Sequence, residues 1–432
     1  MHNFPPRLLR WLFLDLNSYF ASVEQQLNPQ LRGRPILVTP IDSDATCAIA
    51  ASYEAKKFGI KTGTKVWEAR QKCPDIIIVR AQHGRYVEFH EAIVAEIWRH
   101  IPVTQICSVD EVACRLMDNE NDVAAATALA MRIKLGITSN VGECLTSSVG
   151  IAPSKMLSKF ASDIVKPDGL VVLQSSELPQ RLYQYPLNDI CGIGKNMERR
   201  LAAKGVTTIE QFCALGPRGA GRVWGANHGD RLWFGLHGVD LPDTPTQSRS
   251  LGHSHVLSPD MRGPRGALLT ARRLALKAAS RLRRKEYNTS LIVLHVKFDE
   301  TRQSWGKEIK VLPTQDSFDI LAAVDALWPY LLQDGCRQPG GFRLRMIGVT
   351  LGRIEPVDAR QGSLLDLLTE SPAPEQPETK KRTFALSLAM DHINTRFGRN
   401  AVSVGPLSGG TMDNIGTKIA FGRIPSMQEF HE

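Results

Sequence analysis

Short apolar runs, each closed by a charged residue, a glycine or a proline, set out the first half of the chain. Trp11–Leu14 is continuously apolar, the pattern of a strand covered on both faces, and Asp15 closes it. Ser18 and Glu24 suit the start of a helix over Phe20–Leu27. Arg34–Thr39 reads as a second strand, and Ala50–Phe58, His90–His100 and Ala124–Leu135 read as helices. Leu145–Gly150 follows as a strand and Ser154–Ile164 as a helix. Gln105–Leu116 is strand-like but interrupted by the adjacent acids Asp110 and Glu111. From Leu178 to about Asp240 the pattern is helical and glycine-punctuated, and Pro242–Arg249 has the composition of a linker. Beyond it come strand Ser250–Leu257, helix Arg265–Lys285, strands Leu291–Phe298 and Trp305–Leu312, helix Ser317–Leu332 and strand Leu344–Gly352. After Glu355 the regular pattern weakens: Ser371–Glu378 is polar and proline-rich, the composition of a disordered linker, and Phe384–Phe397 is an amphipathic helix. Strands separated by helices predict an α+β chain of several domains, with the helices of the first sheet on one side.

The acids change the picture. A carboxylate at the mouth of a buried strand is either a helix cap or a metal ligand, and with Ser18 and Glu24 available the capping role of Asp15 is open but not needed. Neighbours on a strand point to opposite faces, so Asp110 and Glu111 reach one site only if the backbone turns there. Like charges held together call for a cation. An all-oxygen set favours a hard ion such as Mg²⁺ or Mn²⁺, and two such ions with a shared carboxylate suit in-line phosphoryl transfer.

At these residues the chain resembles the Y-family translesion DNA polymerases of the bacterial DNA polymerase IV and UmuC-like kind. The resemblance is carried by Asp15-Leu-Asn-Ser-Tyr-Phe-Ala-Ser-Val-Glu24 and Ser108-Val-Asp-Glu111. Ala51-Ser-Tyr53-Glu-Ala-Lys56-Lys57-Phe-Gly59, Ser147–Lys155 and Lys166-Pro-Asp-Gly169 continue it. Asn17 and Met390–Gly398 lean toward the UmuC-like branch. The resemblance implies a right-hand polymerase. A ferredoxin-like palm would span 1–26 and 82–173, small fingers 27–81, and a helix-hairpin-helix thumb 174–241. A linker over 242–249 would lead to a β-α-β-β-α-β little finger over 250–355, with 356–432 a partly disordered tail.

It further implies a low-fidelity, template-directed enzyme that adds dNTPs to a primer 3′ end, and no segment looks like a proofreading exonuclease. Asp15, Asp110 and Glu111, with the Leu16 backbone carbonyl, would hold two Mg²⁺ ions, with Mn²⁺ as a substitute. Tyr53, Lys56 and Lys166 would grip the triphosphate, and Tyr19 and Phe20 would belong to the same nucleotide-binding set. Lys56 stands where the family usually has Arg, so it lacks the bidentate fork. Phe20 would be the steric gate under the sugar; the other reading is that Phe20 is a core residue of its helix and Tyr19 the exposed ring. Gly192, Gly194 and Lys195 in Ile190-Cys-Gly-Ile-Gly-Lys195, together with Arg249, would contact primer–template DNA. Gln361-Gly-Ser-Leu364-Leu-Asp-Leu367 resembles the peptide with which bacterial polymerases dock on the sliding clamp; a plain helical turn is the alternative. The rival function is a catalytically weak or silent relative that binds DNA and the clamp, but the mark of such relatives is loss of the acids, and all three are present.

Composition adds bounds. At 432 residues the chain can hold several cores, and 43% hydrophobic residues is ordinary for a globular protein. A net charge of +9 is compatible with a polyanionic partner. Helix Arg265–Lys285 carries basic residues and no acid, which suits either a solvated face or DNA. The eight cysteines have no C-x-x-C spacing, so zinc is not indicated and reduced thiols in a cytoplasmic protein are expected. No apolar stretch is long enough to cross a membrane.

Overall fold

The computed structural model describes residues 7–44, 46–243, 247–301, 303–357, 378–398, 401–405 and 424. These fall into two compact units, the first holding the described residues up to Asp243 together with residue 424, the second those from 247 to 405.

The first unit begins with β1 (Trp11–Leu16) and α1 (Tyr19–Leu27). Leu12, Leu14 and Leu16 enter the largest core, while Trp11 and Phe13 join Ala113 in a second cluster. Both faces of β1 are covered, which is why its sequence is apolar without alternation. Next come β2 (Ile36–Thr39), β3 (Ala50–Ala51), α2 (Tyr53–Lys56), α3 (Val66–Lys72) and β4 (Ile77–Arg80). The expected helix over Ala50–Phe58 is therefore shorter. Ala50 and Ala51 pair with β2, and the helix starts only after Ser52, whose hydroxyl accepts the Ala55 amide. These strands form a sheet of order β3-β2-β4.

The chain continues through α4 (His83–Trp98), β5 (Val103–Ile106), β6 (Glu111–Arg115), α5 (Val123–Gly136), β7 (Ser147–Ala152), α6 (Lys155–Ile164) and β8 (Leu170–Val172). The resulting sheet has the order β5-β6-β1-β7-β8, antiparallel except for β7 with β8. Residues of α4 and α5, among them Tyr86, Ile93, Leu129 and Ile133, pack on the Leu12–Leu14 side. The expectation of helices on one side fails at α6, which lies against the other face over Gly150 and Phe13. Helices α7 (Lys195–Ala202), α8 (Ile209–Ala214), α9 (Gly216–Trp224) and α10 (Ala226–Leu236) close the unit around Leu201, Phe212 and Trp233, in one core with Leu157 and Phe160 of α6.

The second unit contains β9 (Ser250–Val256), α11 (Pro264–Arg284), β10 (Tyr287–Phe298), β11 (Ser304–Thr314), α12 (Ser317–Cys336) and β12 (Leu344–Pro356). The sheet is antiparallel with order β11-β10-β12-β9, and the helices bury Ile292, Leu294, Ile347 and Val349. Helix α13 (Glu378–Phe397) docks here through buried Ser387 and Met390. Asp316 accepts the hydroxyls of Thr383 at 2.6 Å and Ser387 at 2.9 Å, and Arg283 forks onto Asp391 at 2.7 and 3.0 Å. The acid-free helix α11 thus spends Arg272 on Asp325 and Arg283 on Asp391 within the protein. The clamp-like peptide with Gln361, Leu364 and Leu367 and the proline-rich stretch lie outside the described residues. No described helix is long and apolar enough to cross a membrane.

Candidate active site

Asp15 and Glu111 stand directly opposite each other on β1 and β6. Opposed residues of an antiparallel pair project to the same face, so both carboxylates share the side of the sheet that α6 covers. Asp110 lies just before β6, and its carbonyl accepts the Leu16 amide at 2.8 Å. Its carboxylate accepts the Ser108 hydroxyl. Burial pushes the Asp110 carboxyl up, the Ser108 hydroxyl pulls it back, and the charges of Asp15 and Glu111 push it up again. The three acids therefore feel one another, as the turn at 108–110 requires. Asp15 caps nothing. Helix α1 starts after Ser18, whose backbone is left-handed (φ 48°) and whose side chain makes no cap.

Glu24 has a different role from capping. It is buried, accepts the Tyr86 hydroxyl at 2.6 Å and the Gln82 amide at 3.1 Å, and ties α1 to α4. Phe20 stacks on Tyr86 with centroids 4.3 Å apart and remains partly exposed. Tyr19 is the buried ring, 3% exposed, with its hydroxyl donated to the Tyr86 carbonyl at 2.6 Å. The alternative that Tyr19 is the exposed member of the pair is corrected: its side chain belongs to the core, and burial pushes its phenol far up.

Among the described residues no three His, Cys, Asp or Glu side chains form a ready-made metal-ligand set. What holds the acids together is an ammonium. Lys159 of α6 lies 2.6 Å from Asp15 and 2.7 Å from Glu111. Lys166 lies 2.7 Å from the other Asp15 oxygen, and both lysines also touch Asp163. One cation already bridges two hard oxygen donors on different strands, so the donor set fits a bound cation in its chemistry.

Neither Lys159 nor Asp163 was singled out by the sequence reading, although the spacing carries a signal. Four residues of helix advance about 6 Å and two of strand about 6.6 Å, so a lysine every fourth residue follows alternate residues of a strand beside it. Lys155 lies over the Trp11 ring and Lys159 over the Phe13 ring, one step short of Asp15.

Asn17 is a second omission. Its amide oxygen accepts the Asp168 amide at 2.8 Å and the Thr146 hydroxyl at 3.1 Å, and its NH₂ donates to Ser148 at 3.1 Å. The Lys166–Gly169 turn is thereby tied to the end of β1, which carries Lys166 to Asp15. From the small sheet, Tyr53 and Lys56 face the same place, Lys56 lying 4.1 Å over the Tyr53 ring. Desolvation, then the charge of Lys166, hold the Lys56 ammonium below its ordinary pKa. Tyr53 is pushed up by burial and feels both Lys166 and Asp15.

Gly192 has φ 97°, and a Cβ at Gly192 or Gly194 would meet nothing within 4 Å. The loop before Lys195, the first residue of α7, is therefore open to an approaching group. Arg249 is exposed and belongs to the second unit, where its carbonyl accepts the Ile354 amide. Of the residues read from the sequence, Asp110, Glu111, Tyr53, Lys56 and Lys166 thus lie around Asp15.

Comparison with known proteins bears on the family of the chain. Residues 14–163 match the impB/mucB/samB family, and residues 248–364 match the impB/mucB/samB family C-terminal domain. DNA polymerase IV of Moorella thermoacetica is 31% identical over 399 residues, covering 90% of this chain and 94% of that protein. DNA polymerase IV of Alkalilimnicola ehrlichii is 31% identical over 359 residues, covering 82% of this chain and 98% of that protein. Among solved structures, the Y-family DNA polymerase chimera Dbh-Dpo4(243-245)-Dbh shares the fold with a TM-score of 0.65 at 24% identity, covering 80% of this chain and 99% of that one. The chain belongs to the impB/mucB/samB family, the Y family of translesion DNA-directed DNA polymerases.

Proposed function

We propose that Asp15, Asp110, Glu111 and the Leu16 carbonyl hold two divalent cations, Mg²⁺ with Mn²⁺ as substitute, and that the chain adds dNTPs to the primer 3′ end of a primer–template at this site. The observation that carries the assignment is the convergence of Asp15 and Glu111 on one ammonium, with Asp110 close enough to feel both. Bound there, such ions would lower the pKa of the primer hydroxyl and offset the negative charge of the triphosphate. The chain's own residues do the rest. Asp15 and Glu111 set the position of charge from two strands of one rigid sheet. Tyr53, Lys56 and Lys166 converge as donors suited to a triphosphate, two of them cationic. Phe20, stacked on Tyr86, presents a ring supported from below, which is what a steric gate requires.

Residues 1–26 and 82–173 then form the palm, 27–81 the fingers, 174–241 the thumb and 250–355 the little finger, with 242–249 linking them. The glycines of the thumb loop, Gly192 and Gly194, let backbone amides and Lys195 approach a DNA phosphate, and Arg249 adds a cation at the end of the linker. Gln361, Leu364 and Leu367 would dock on the sliding clamp. Retention of all three acids favours this reading over a silent adaptor. Primer extension by the purified chain on undamaged and lesion-bearing templates tests it. Mg²⁺-dependent extension past a lesion supports the assignment, and tight DNA binding with no extension under any divalent metal overturns it in favour of the adaptor.

A further inference from the structure

Helix α6 and the turn after it deliver two ammoniums to the acids that the foregoing reading makes metal ligands. Lys159 contacts Asp15 at 2.6 Å, Glu111 at 2.7 Å and Asp163 at 3.2 Å. Lys166 contacts Asp15 at 2.7 Å and Asp163 at 2.7 Å. Each oxygen of Asp15 therefore already faces a cation. A divalent ion taking those oxygens meets strong repulsion from two ammoniums within a few ångströms in a partly desolvated site. The lysines have somewhere to go. Asp163 sits four residues after Lys159 and three before Lys166, and it touches both while its side chain stays partly exposed.

We propose that Lys159 is a counter-ion of Asp15 and Glu111 that competes with a divalent cation for their oxygens. A divalent cation taking those oxygens displaces Lys159 onto Asp163, so that Lys159 and Asp163 together set the site's cation affinity. This makes Lys159 a positioning residue, and the inference rests on the metal assignment above. The arrangement has a use. Without a resident cation, three crowded carboxylates would repel one another and distort the ends of β1 and β6 before substrate arrives.

The test is direct Mn²⁺ binding to the full chain without DNA or nucleotide, read by the electron paramagnetic resonance signal of free Mn²⁺. Lys159→Gln should tighten binding about tenfold, the size of one charge-assisted contact set against water. Lys159→Arg, which keeps the charge, should not tighten it. Lys155→Gln removes a nearby charge that touches neither Asp15 nor Glu111, and should change binding less than about twofold. Asp110→Asn should weaken binding in every background. If Asp110→Asn leaves Mn²⁺ binding unchanged, the metal assignment fails. If Asp110→Asn weakens it but Lys159→Gln tightens it no more than Lys155→Gln, only the counter-ion role fails. Wild-type protein gives an independent check that needs no substitution. Mass-spectrometric acetylation of Lys159 should rise several-fold once Mn²⁺ is bound, with Lys72, paired to Glu68, unchanged as reference. Unchanged Lys159 reactivity at saturating Mn²⁺ overturns the proposal.

Discussion

Gly150 is the position on which the placement of α6 turns, and Gly150→Ala is its sharpest perturbation. Gly150 lies opposite Phe13 on the neighbouring strand, on the face that α6 covers. A Cβ there would stand 2.0 Å from the Ser158 carbonyl oxygen, 2.4 Å from the Ser162 nitrogen and 2.8 Å from the Ala161 Cβ. Two of these are backbone atoms of one helix, so no side chain can swing away. The helix must retreat by roughly 1 Å or more to restore ordinary contact, and overpacking of this kind costs about 1–3 kcal/mol, here near the upper end. Melting of the first unit should fall by roughly 5–10 °C. Because α6 carries Lys159 and leads into Lys166, a displacement of that size at the acids should slow single-turnover nucleotide insertion on the order of 100-fold. Gly263→Ala is the control, since a Cβ there meets nothing within 4 Å. Circular dichroism melts and rapid-quench insertion would be measured together. Wild-type melting refutes the close approach. Lowered melting with insertion within twofold of wild type refutes the link from α6 to the reacting groups.

Phe20→Ala should raise ribonucleotide insertion relative to dNTP insertion on the order of a thousand-fold, because a supported ring against C2′ excludes a hydroxyl that would also lose its water unpaired. Competing insertion of dNTP and rNTP checks it, and unchanged sugar selectivity counts against the gate. Replacing Gln361, Leu364 and Leu367 by Ala should remove stimulation by the sliding clamp while clamp-free extension stays constant; surviving stimulation places docking elsewhere. In the second unit, burial and then Lys277, Arg281 and Arg284 hold His253 down to about 4. Unfolded it titrates near 6.5, so between those values the unfolded chain binds more protons, and stability falls as pH drops from about 6.5 to about 4. His253→Leu should reduce that acid sensitivity by on the order of 2 kcal/mol in denaturant melts at pH 7 and pH 5; an unchanged difference between the two pH values refutes the assignment.

Local pattern was enough where burial decides the element. The run Trp11–Leu14 is a strand with Asp15 at its mouth, and β12, α11 and α12 lie within a few residues of where periodicity puts them. It was not enough where the partner is distant in sequence. Ala50 and Ala51 have helical propensity but pair with β2, and tertiary pairing outweighs it. Lys159 and Asn17 look like ordinary surface and turn residues until α6 and the Lys166–Gly169 turn are folded onto β1. Likewise the acid-free sequence of α11 suggested unrelieved charge, while Asp325 and Asp391 on other helices relieve part of it. The side to which Phe20 and Tyr19 point depends on Tyr86, which lies well over a helix length downstream.

The central claim is that Asp110, with Asp15 and Glu111, holds the cations through which the chain adds nucleotides, while DNA affinity arises from phosphate contacts elsewhere. The most direct test is Asp110→Ala, assayed for primer extension in Mg²⁺ and for primer–template binding by fluorescence anisotropy on the same preparation. The account predicts no detectable extension, with Kd for primer–template within about twofold of wild type. Measurable Mg²⁺-dependent extension by Asp110→Ala would contradict it.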